Sequence, residues 1–219
     1  MVIAIDGPAG SGKGTIARLL AQRFNLKYMD SGLFYRKVAA MDIYNVSAAA
    51  DLRNDTYDKI NFSEDVLRSE KVGIRASEMA KLPQIRTLVT ELMRECLRDI
   101  DDIYNGVVMD GRDIGTVVFP DAICKIYLTA SADVRAKRRF AYINRSDHAI
   151  TYEEVYKNIV ERDASDSSRD IAPLTISDDY VVVDTSGETP KESYSRVEKI
   201  LETKLQQQHM AKNQQKWNG

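Results

Sequence analysis

Nine residues near the start of the chain, Gly7 to Thr15, form a glycine-rich sequence that can bind phosphate groups. They read G-P-A-G-S-G-K-G-T, after an apolar run at 2–5 and before a helical pattern at 16–24. Strand, glycine loop and helix in this order are the context that a phosphate-binding loop requires. Backbone N–H groups and the helix N-terminus attract the phosphates, and Lys13 adds a full positive charge. This sequence therefore predicts an ATP or GTP site made of Gly7, Pro8, Ala9, Gly10, Ser11, Gly12, Lys13, Gly14 and Thr15.

The loop departs from the pattern G-x-x-x-x-G-K-[ST] at one position. Gly14 stands where a hydroxyl that ligates Mg²⁺ normally follows the lysine, and a hydroxyl comes only at Thr15. We therefore expect no protein ligand to the metal. The Mg²⁺ ion is expected to be held by phosphates and water, which leaves Thr15 to contact a phosphate.

Two groups of charged residues follow predicted strands, at the end of a parallel sheet where ligands bind. The sequence D-S-G-L-F-Y-R at 30–36 caps a helix and places Arg36 about one and a half turns into it. A plain helix cap with a solvent-exposed arginine explains this first group equally well. The second group, D-G-R-D at 110–113, presents Arg112 and Asp113 after a glycine turn. Packing explains an ion pair at a strand end poorly, so this group favours function.

Two more charged groups occur later in the chain. Arg162, Asp166 and Arg169 are spaced by four and three residues, which places them on one helical face if the helix continues that far. A solvated face with ion pairs is the alternative to a phosphate-binding segment. The basic residues at 135–139 precede a polar stretch at 144–148, which is typical of a closing lid. A nucleic-acid patch is the alternative there, and the lack of interleaved aromatic residues disfavours it.

The pattern of apolar residues predicts an α/β fold. Short apolar runs predict strands buried on both faces at 2–6, 26–29, 106–110, 123–128 and 180–184. Helical patterns lie between them at 13–24, 31–41, 83–99, 131–141, 151–164 and 190–205, and capping residues mark several of their starts. Alternating strands and helices favour a parallel sheet with helices on both faces.

The length of 219 residues fits one α/β domain, which we place at 1–205. The polar, irregular segment 44–82 is predicted to be an inserted lobe, and the region around 141–149 a lid. The tail at 206–219 is rich in Gln, Asn and Lys, which predicts a helix extension that frays into disorder.

Composition excludes several classes of protein. The net charge of −2 argues against a nucleic-acid or anionic-membrane binder, and no apolar run is long enough to span a membrane. The two cysteines lie far apart and match no metal-binding or disulfide pattern. We therefore expect a cytoplasmic protein without nucleic-acid or membrane partners. We also expect a monomer, although the composition does not determine the oligomeric state.

Taken together, four motifs resemble those of the bacterial cytidylate kinase family, and they span almost the whole chain in order. They are the phosphate loop with its G-K-G-T ending, D-S-G-x-x-Y-R at 30–36, D-G-R-D-I-G-T-V-V-F-P-D-A at 110–122, and E-R-D-x-x-D-x-x-R-x-x-A-P-L at 161–174. The resemblance implies a P-loop αβα fold with a five-stranded parallel sheet, a nucleotide-binding insert and a lid. It also implies phosphoryl transfer from ATP to CMP with Mg²⁺. Two departures are an insert that looks shorter than in the family and Ser165 where the family often has arginine.

The resemblance assigns roles to residues at matching positions. It implies that CMP is bound by residues that hold its phosphate (Arg36, Arg112 and Arg169), its ribose (Arg162 and Asp166) and its cytosine (Ser77, Arg86 and Asp113). Ser31 joins this substrate-binding set, and the residues expected to act in catalysis are Lys13, Arg112 and Arg162.

Two alternatives remain open from the residues themselves. Another small-molecule P-loop kinase would need Lys13 but not Asp113, and an ATP-binding regulatory protein would not need the arginine groups. A GTPase is disfavoured because no N-K-x-D motif follows the loop. Phosphoryl transfer requires mainly positioning and charge neutralisation, which a lysine, several arginines and a metal ion can supply.

Overall fold

The computed structural model of the chain describes residues 1–46, 61–98, 100, 102–143 and 150–217. They divide into two compact units. The first consists of Met1–Met29 and Asp102–Gly219, and the second of Asp30–Asp101. Each unit is described by itself below.

A five-stranded sheet forms the centre of the first unit. Its strands are β1 (Val2–Asp6), β2 (Lys27–Asp30), β3 (Val107–Gly111), β4 (Cys124–Thr129) and β5 (Val181–Asp184). They lie in the order β2-β3-β1-β4-β5, and β1 runs parallel to both β3 and β4. Each strand agrees with its prediction to within one residue at either end, and the parallel α/β fold is confirmed.

The register of the sheet brings two of the predicted motifs to one edge. Asp6 at the end of β1 pairs with Gly111 on β3 and with Tyr127 on β4. The phosphate loop follows β1 directly, and Arg112 follows β3 directly. The two loops therefore leave the carboxyl end of the sheet from neighbouring strands.

Four helices occur among the described residues of the first unit: α1 (Lys13–Phe24), α6 (Ala132–Ile143), α7 (Tyr152–Ser168) and α8 (Pro190–Trp217). Alternate strand residues such as Ile3 and Ile5 pack with Leu20 of α1 and Leu201 of α8 in one buried cluster. A smaller apolar cluster joins α6 to α7 through Ala136, Val155 and Ile159. Burial of these side chains supplies the main free energy that fixes the helices to the sheet and to each other.

A single π-helical turn at Ile114–Val118 follows the D-G-R-D motif. The N–H groups of Val117 and Val118 both donate to the carbonyl of Asp113, at 2.9 Å and 3.1 Å. Sequence patterns did not predict this turn, and such π turns often occur at functional sites.

The described helices of the second unit are α2 (Ser31–Ile43), α3 (Glu64–Arg68), α4 (Glu70–Met79) and α5 (Pro83–Arg98). Asp30 caps α2, as predicted, by accepting the N–H of Gly32 at 2.9 Å. Ser63 and Ser69 cap α3 and α4 with their hydroxyl groups. The helices α2 and α4 form the main packing contact of this unit.

One sequence expectation differs from the structure. The described part of the segment 44–82 is largely helical rather than irregular, because the two serine caps start helices and Val72, Ala76 and Met79 share a buried face. The last helix continues past 205 to Trp217, in agreement with the predicted helix extension, and residues 218–219 lie outside the described residues. Most of the predicted lid, residues 144–149, lies outside the described residues.

Among the residues that the structure describes, no helix is both long and apolar enough to cross a membrane.

Candidate active site

Lys13 lies within the phosphate loop, at the first position of α1. Its Nζ donates to the carbonyl of Pro8 at 2.7 Å and to the hydroxyl of Ser11 at 3.4 Å. The side chain of Lys13 is buried. Both of these hydrogen-bond acceptors belong to the phosphate loop.

The charge of Lys13 is strongly influenced by its surroundings. Burial lowers the pKa of its amine, and the positive charges of Arg112 and Arg162 lower it further, while the carboxylates of Asp110 and Asp6 oppose the shift. The arginines come from the turn after β3 and from α7, so three cations from separate elements share one region. A polyphosphate in this region would favour the charged form of all three.

A carboxylate, Asp110, lies near the position where the loop lacks a hydroxyl. A Cβ added to Gly14 would be 3.8 Å from Oδ2 of Asp110 and 3.2 Å from the hydroxyl of Tyr28. That hydroxyl donates to Oδ1 of Asp110 at 2.9 Å. A larger side chain at position 14 would thus lie close to the hydroxyl of Tyr28. The sequence analysis treated Asp110 only as the start of the D-G-R-D group. Its place at the carboxyl end of a predicted strand was the signal that could have indicated a role in the site.

The turn after β3 presents the predicted pair Arg112 and Asp113. Arg112 donates from Nε to Oδ2 of Asp166 at 2.6 Å and from Nη1 to the carbonyl of Gly111 at 3.1 Å. Asp113 is buried, and its Oδ1 lies 3.9 Å from Nη2 of Arg169. The second and third charged groups are therefore brought together, and the interpretation of the third as a solvated face is wrong for Asp166 and Arg169.

The carboxyl-terminal part of α7 carries Arg162 and Asp166, and Arg169 follows as the C-cap residue. Nη1 of Arg169 lies 3.7 Å from Oδ1 of Asp166, and its Nε donates to the carbonyl of Ala172 at 2.6 Å. Burial raises the pKa of Asp166, but the charge and hydrogen bond of Arg112 outweigh this effect, so the pKa lies below its ordinary value. Asp166 is consequently held as an anion between two arginines.

Another ion pair lies directly on the phosphate loop. Arg135 of α6 donates to the carbonyl of Ala9 at 3.0 Å, and its Nη1 lies 2.5 Å from Oδ2 of Asp163. Oδ1 of Asp163 accepts the N–H of Ala9 at 3.4 Å. Arg135 is buried, so it does not belong to an exposed lid surface or nucleic-acid patch as its basic neighbours suggested. Asp163 belongs to the charged motif at 161–174, but the sequence analysis predicted no role for it.

The remaining predicted site residues lie in the second unit. Arg36 donates to the carbonyls of Leu67 and Ser69 at 2.7 Å and 3.2 Å, which ties α2 to the start of α4. The hydroxyl of Ser77 is exposed and donates to the carbonyl of Gly73 at 3.1 Å. Both side chains therefore contact the α3–α4 segment.

Arg86 and Ser31 complete the predicted set in this unit. Arg86 is buried on α5, where it donates to the carbonyl of Ala80 at 3.0 Å and lies 5.7 Å from the ring centre of Tyr35. Ser31 is buried at the first position of α2, directly after Asp30.

Comparisons with known proteins agree with these motifs. A family model described as "Cytidylate kinase" matches residues 3–206. The chain is similar to cytidylate kinases of Fervidobacterium nodosum (38% identity over 214 residues, 91% of this chain and 94% of that protein) and Thermosipho melanesiensis (39% over 215 residues, 92% and 97%). It is also similar to the cytidylate kinase of Rhodospirillum rubrum (38% over 212 residues, 94% and 99%).

A solved structure also shares the fold. The crystal structure of TT1252 from Thermus thermophilus matches with a TM-score of 0.51 and 18% sequence identity, over 94% of this chain and 97% of that chain. At this identity the likeness concerns the fold alone.

Proposed function

This chain belongs to the cytidylate kinase family, and we propose that it transfers the γ-phosphoryl group of ATP to CMP and dCMP. The products are CDP or dCDP and ADP. An oxygen of the acceptor phosphate forms a bond to the γ-phosphorus, and the bond from that phosphorus to the bridging oxygen of ADP breaks. The chain is thus an enzyme of the nucleoside monophosphate kinase class.

The observation that supports transfer most strongly is the shared environment of three cations. Lys13 is held in the phosphate loop, and the charges of Arg112 and Arg162 are close enough to affect its pKa. Charge spreads over the oxygens of the transferred phosphoryl group in the transition state, and fixed cations stabilise it there. These three residues are the ones to which we assign catalysis.

We assign the substrate contacts that the family resemblance implies. The acceptor phosphate is bound by Arg36, Arg112 and Arg169, and the ribose by Arg162 and Asp166. The ion pair of Arg112 with Asp166 supports these assignments. It places a guanidinium, which can bind the phosphate, beside a carboxylate that can accept hydrogen bonds from the ribose hydroxyl groups. Ser31 adds a further contact to the substrate.

We assign the recognition of cytosine to Ser77, Arg86 and Asp113. Cytosine carries an amino donor at N4, for which a carboxylate is the matching acceptor. Uracil has a carbonyl oxygen at that position, which would face Asp113 with repulsion. The burial of Asp113 strengthens this discrimination, because solvent screens the repulsion between a buried carboxylate and a carbonyl oxygen only weakly.

The residues present fit a magnesium ion held mainly by the nucleotide. Among the described residues there is no cluster of three or more His, Cys, Asp or Glu side chains that could bind a metal. Mg²⁺ typically uses one or two carboxylates with phosphates and water. Asp110, which lies 3.8 Å from the position of a Cβ on Gly14, is the carboxylate that would hold the ion through water. The ion would offset the charge of the ATP phosphates.

We further propose that the enzyme acts as a cytoplasmic monomer, without nucleic-acid or membrane partners. The two alternatives from the sequence, a kinase for another acceptor and an ATP-binding regulatory protein, are distinguished by one assay.

The assay couples ADP formation to a spectroscopic signal, with CMP, dCMP, UMP, AMP and GMP as acceptors. We expect rapid ADP formation with CMP and dCMP and slow formation with the others. Faster turnover of another monophosphate would indicate a different kinase. ADP formation that is independent of every acceptor, or no ADP formation at all, would contradict the proposed function.

A further inference from the structure

Asp6 is a buried carboxylate to which the proposed reaction assigns no role. It is the last residue of β1, and no part of it is exposed to solvent. Its Oδ1 accepts the N–H of Ile114 at 2.9 Å, and its Oδ2 accepts the N–H of Gly115 at 2.8 Å. The hydroxyl of Tyr180 also donates to Oδ2, at 2.6 Å. Three donors from two distant segments therefore converge on one side chain.

The two amide donors are the first N–H groups of the π turn that follows Asp113. The first N–H groups of any helical turn have no partner within the turn, and a buried N–H without a partner is costly. Asp6 satisfies both, and it thereby fixes the backbone that begins one residue after Asp113. The residue that follows Asp6 is Gly7, so this carboxylate connects the phosphate loop to the turn that carries Arg112 and Asp113.

The hydroxyl of Tyr180 is held in a tightly fitted position. A Cβ added to Gly115 would lie 2.5 Å from this oxygen, which is closer than real contacts allow. Tyr180 is itself buried directly before β5, and its neighbour Asp179 pairs with the buried amine of Lys125. Glycine at 115 therefore leaves room for this hydroxyl, and also for Lys125, whose Cγ and Cδ would lie 3.0 Å from the same Cβ.

Burial of a carboxylate costs more free energy than burial of an apolar side chain of similar size. Burial raises the pKa of Asp6, and the hydrogen bonds from Gly115, Tyr180 and Ile114 act against that shift. A well-packed apolar residue often stabilises a fold as well as a buried charge does, or better. The geometry therefore favours a role in placing the turn over a role in overall stability.

We propose that Asp6 is a positioning residue for the CMP-binding turn, and that it holds Arg112 and Asp113 in place through Ile114, Gly115 and the hydroxyl of Tyr180. This inference rests on the proposed function, since it assigns to that reaction a further residue that does not contact the substrate.

The test compares Asp6→Asn and Tyr180→Phe with the wild-type enzyme. Ile114 and Gly115 donate to different oxygens of Asp6, and asparagine would replace one of these oxygens with an NH₂ group that faces a donor. We expect Asp6→Asn to raise the KM for CMP roughly tenfold, as for the loss of one hydrogen bond to a charged group. The KM for ATP should change much less, and the preference for CMP over UMP should fall. Tyr180→Phe should have the same effects to a smaller extent.

A second readout does not depend on activity. Amide hydrogen exchange in a peptide covering 111–118 should become faster in Asp6→Asn, while exchange in β4 is unchanged. If the wild-type enzyme does not phosphorylate CMP, the proposed function fails, and this exchange alone decides whether Asp6 holds the turn.

A pair of variants distinguishes positioning from general destabilisation. Gly115→Ala alone places its Cβ against the hydroxyl of Tyr180, and Tyr180→Phe removes that oxygen. The double variant should therefore have a lower KM for CMP than Gly115→Ala alone. Tyr194→Phe is the matched control, because it removes a hydroxyl that donates to Glu198 at 2.9 Å on α8. It should leave the KM for CMP unchanged.

Two results would overturn the proposal. One is a folded Asp6→Asn enzyme with an unchanged KM for CMP and unchanged exchange at 111–118. The other is an Asp6→Asn enzyme with lower thermal stability and a lower kcat, whose KM for CMP and preference for CMP over UMP are both unchanged. If Asp6→Asn does not fold, Tyr180→Phe and the Gly115→Ala pair decide by the same criteria.

Discussion

Arg112 and Asp166 are 54 residues apart in the chain, and their side chains meet with Nε and Oδ2 separated by 2.6 Å. The contact joins the turn after β3 to α7, and both side chains are largely buried. Arg169 approaches the other oxygen of Asp166 at 3.7 Å. One carboxylate thus orients two of the arginines that we assign to the acceptor phosphate.

This arrangement predicts a pH-dependent contribution of Asp166 to stability. The pKa of Asp166 lies below its ordinary value of 3.8 in the folded state, so its ionised form stabilises the fold above that pH. The contribution is lost as the pH falls through the lowered pKa. We expect Asp166→Asn to reduce the free energy of unfolding by about 1 to 3 kcal/mol at neutral pH.

Urea unfolding of both proteins as a function of pH measures this difference. It should be constant near neutral pH and shrink below about pH 4, where the carboxyl group of the unfolded wild-type chain begins to take up its proton, until the pH passes the lower pKa of the folded state. A difference that stays constant down to pH 2 would show that the charge of Asp166 does not stabilise the fold.

Asp163 is predicted to compete with ATP for the phosphate loop. Its carboxylate accepts the N–H of Ala9 at 3.4 Å, in the loop to which we assign the phosphates of ATP. Asp163→Asn removes the negative charge and keeps an oxygen that can accept from Arg135. We expect the variant to bind ATP about fivefold more tightly than the wild-type protein. Two negative unit charges about 4 Å apart in water repel each other by about 1 kcal/mol, and the substitution removes this repulsion. Calorimetric titration with ATP measures the affinity, and weaker binding by the variant would refute this competition.

Lys13→Ala should lower kcat by roughly a hundredfold or more, the scale for removal of one electrostatic stabiliser of the transition state. Far-UV circular dichroism should show an intact fold. Lys199→Ala, which changes an exposed lysine on α8, is the matched control and should retain full activity. A near-wild-type kcat for a folded Lys13→Ala protein would exclude the assigned role of this residue.

Asp113→Asn tests which base is recognised. An amide can donate to the carbonyl of uracil, whereas a carboxylate can only accept, so the variant should narrow the difference between CMP and UMP. Discrimination by hydrogen bonds left unmade can reach about 10⁴ in kcat/KM, so the wild-type preference should be large. The values of kcat/KM for both nucleotides are measured on both proteins. An unchanged ratio would mean that Asp113 does not contact the base.

The sheet could be predicted closely because its strands carry a strong signal. Residues 107–111 are buried on both faces, and the sequence shows this as a short apolar run that ends in Asp110 and Gly111. The capping boxes at Thr151 and Thr189 likewise form as the sequence indicates. The helices α3 and α4 were missed because their polar residues outnumber the few buried ones, and the serine caps were not recognised.

The site was predictable only in part, because its geometry depends on contacts over long sequence distances. The phosphate loop and the D-G-R-D turn are local motifs. By contrast, the N–H of Ala9 meets Asp163 across 154 residues, and Asp6 meets Tyr180 across 174. Only the strand order and the packing of α7 bring these side chains together. Local patterns do not encode such pairs, so the partners of the arginines became visible only in the structure.

The destination of the γ-phosphoryl group tests the central claim most directly. The wild-type enzyme is incubated with Mg²⁺, CMP and ATP that carries radioactive phosphorus at the γ-position, and the nucleotides are separated. We predict that the label appears in CDP in amounts equal to the ADP formed. Label in free phosphate with CMP unchanged, or label that remains in ATP, would contradict the claim that this protein phosphorylates CMP.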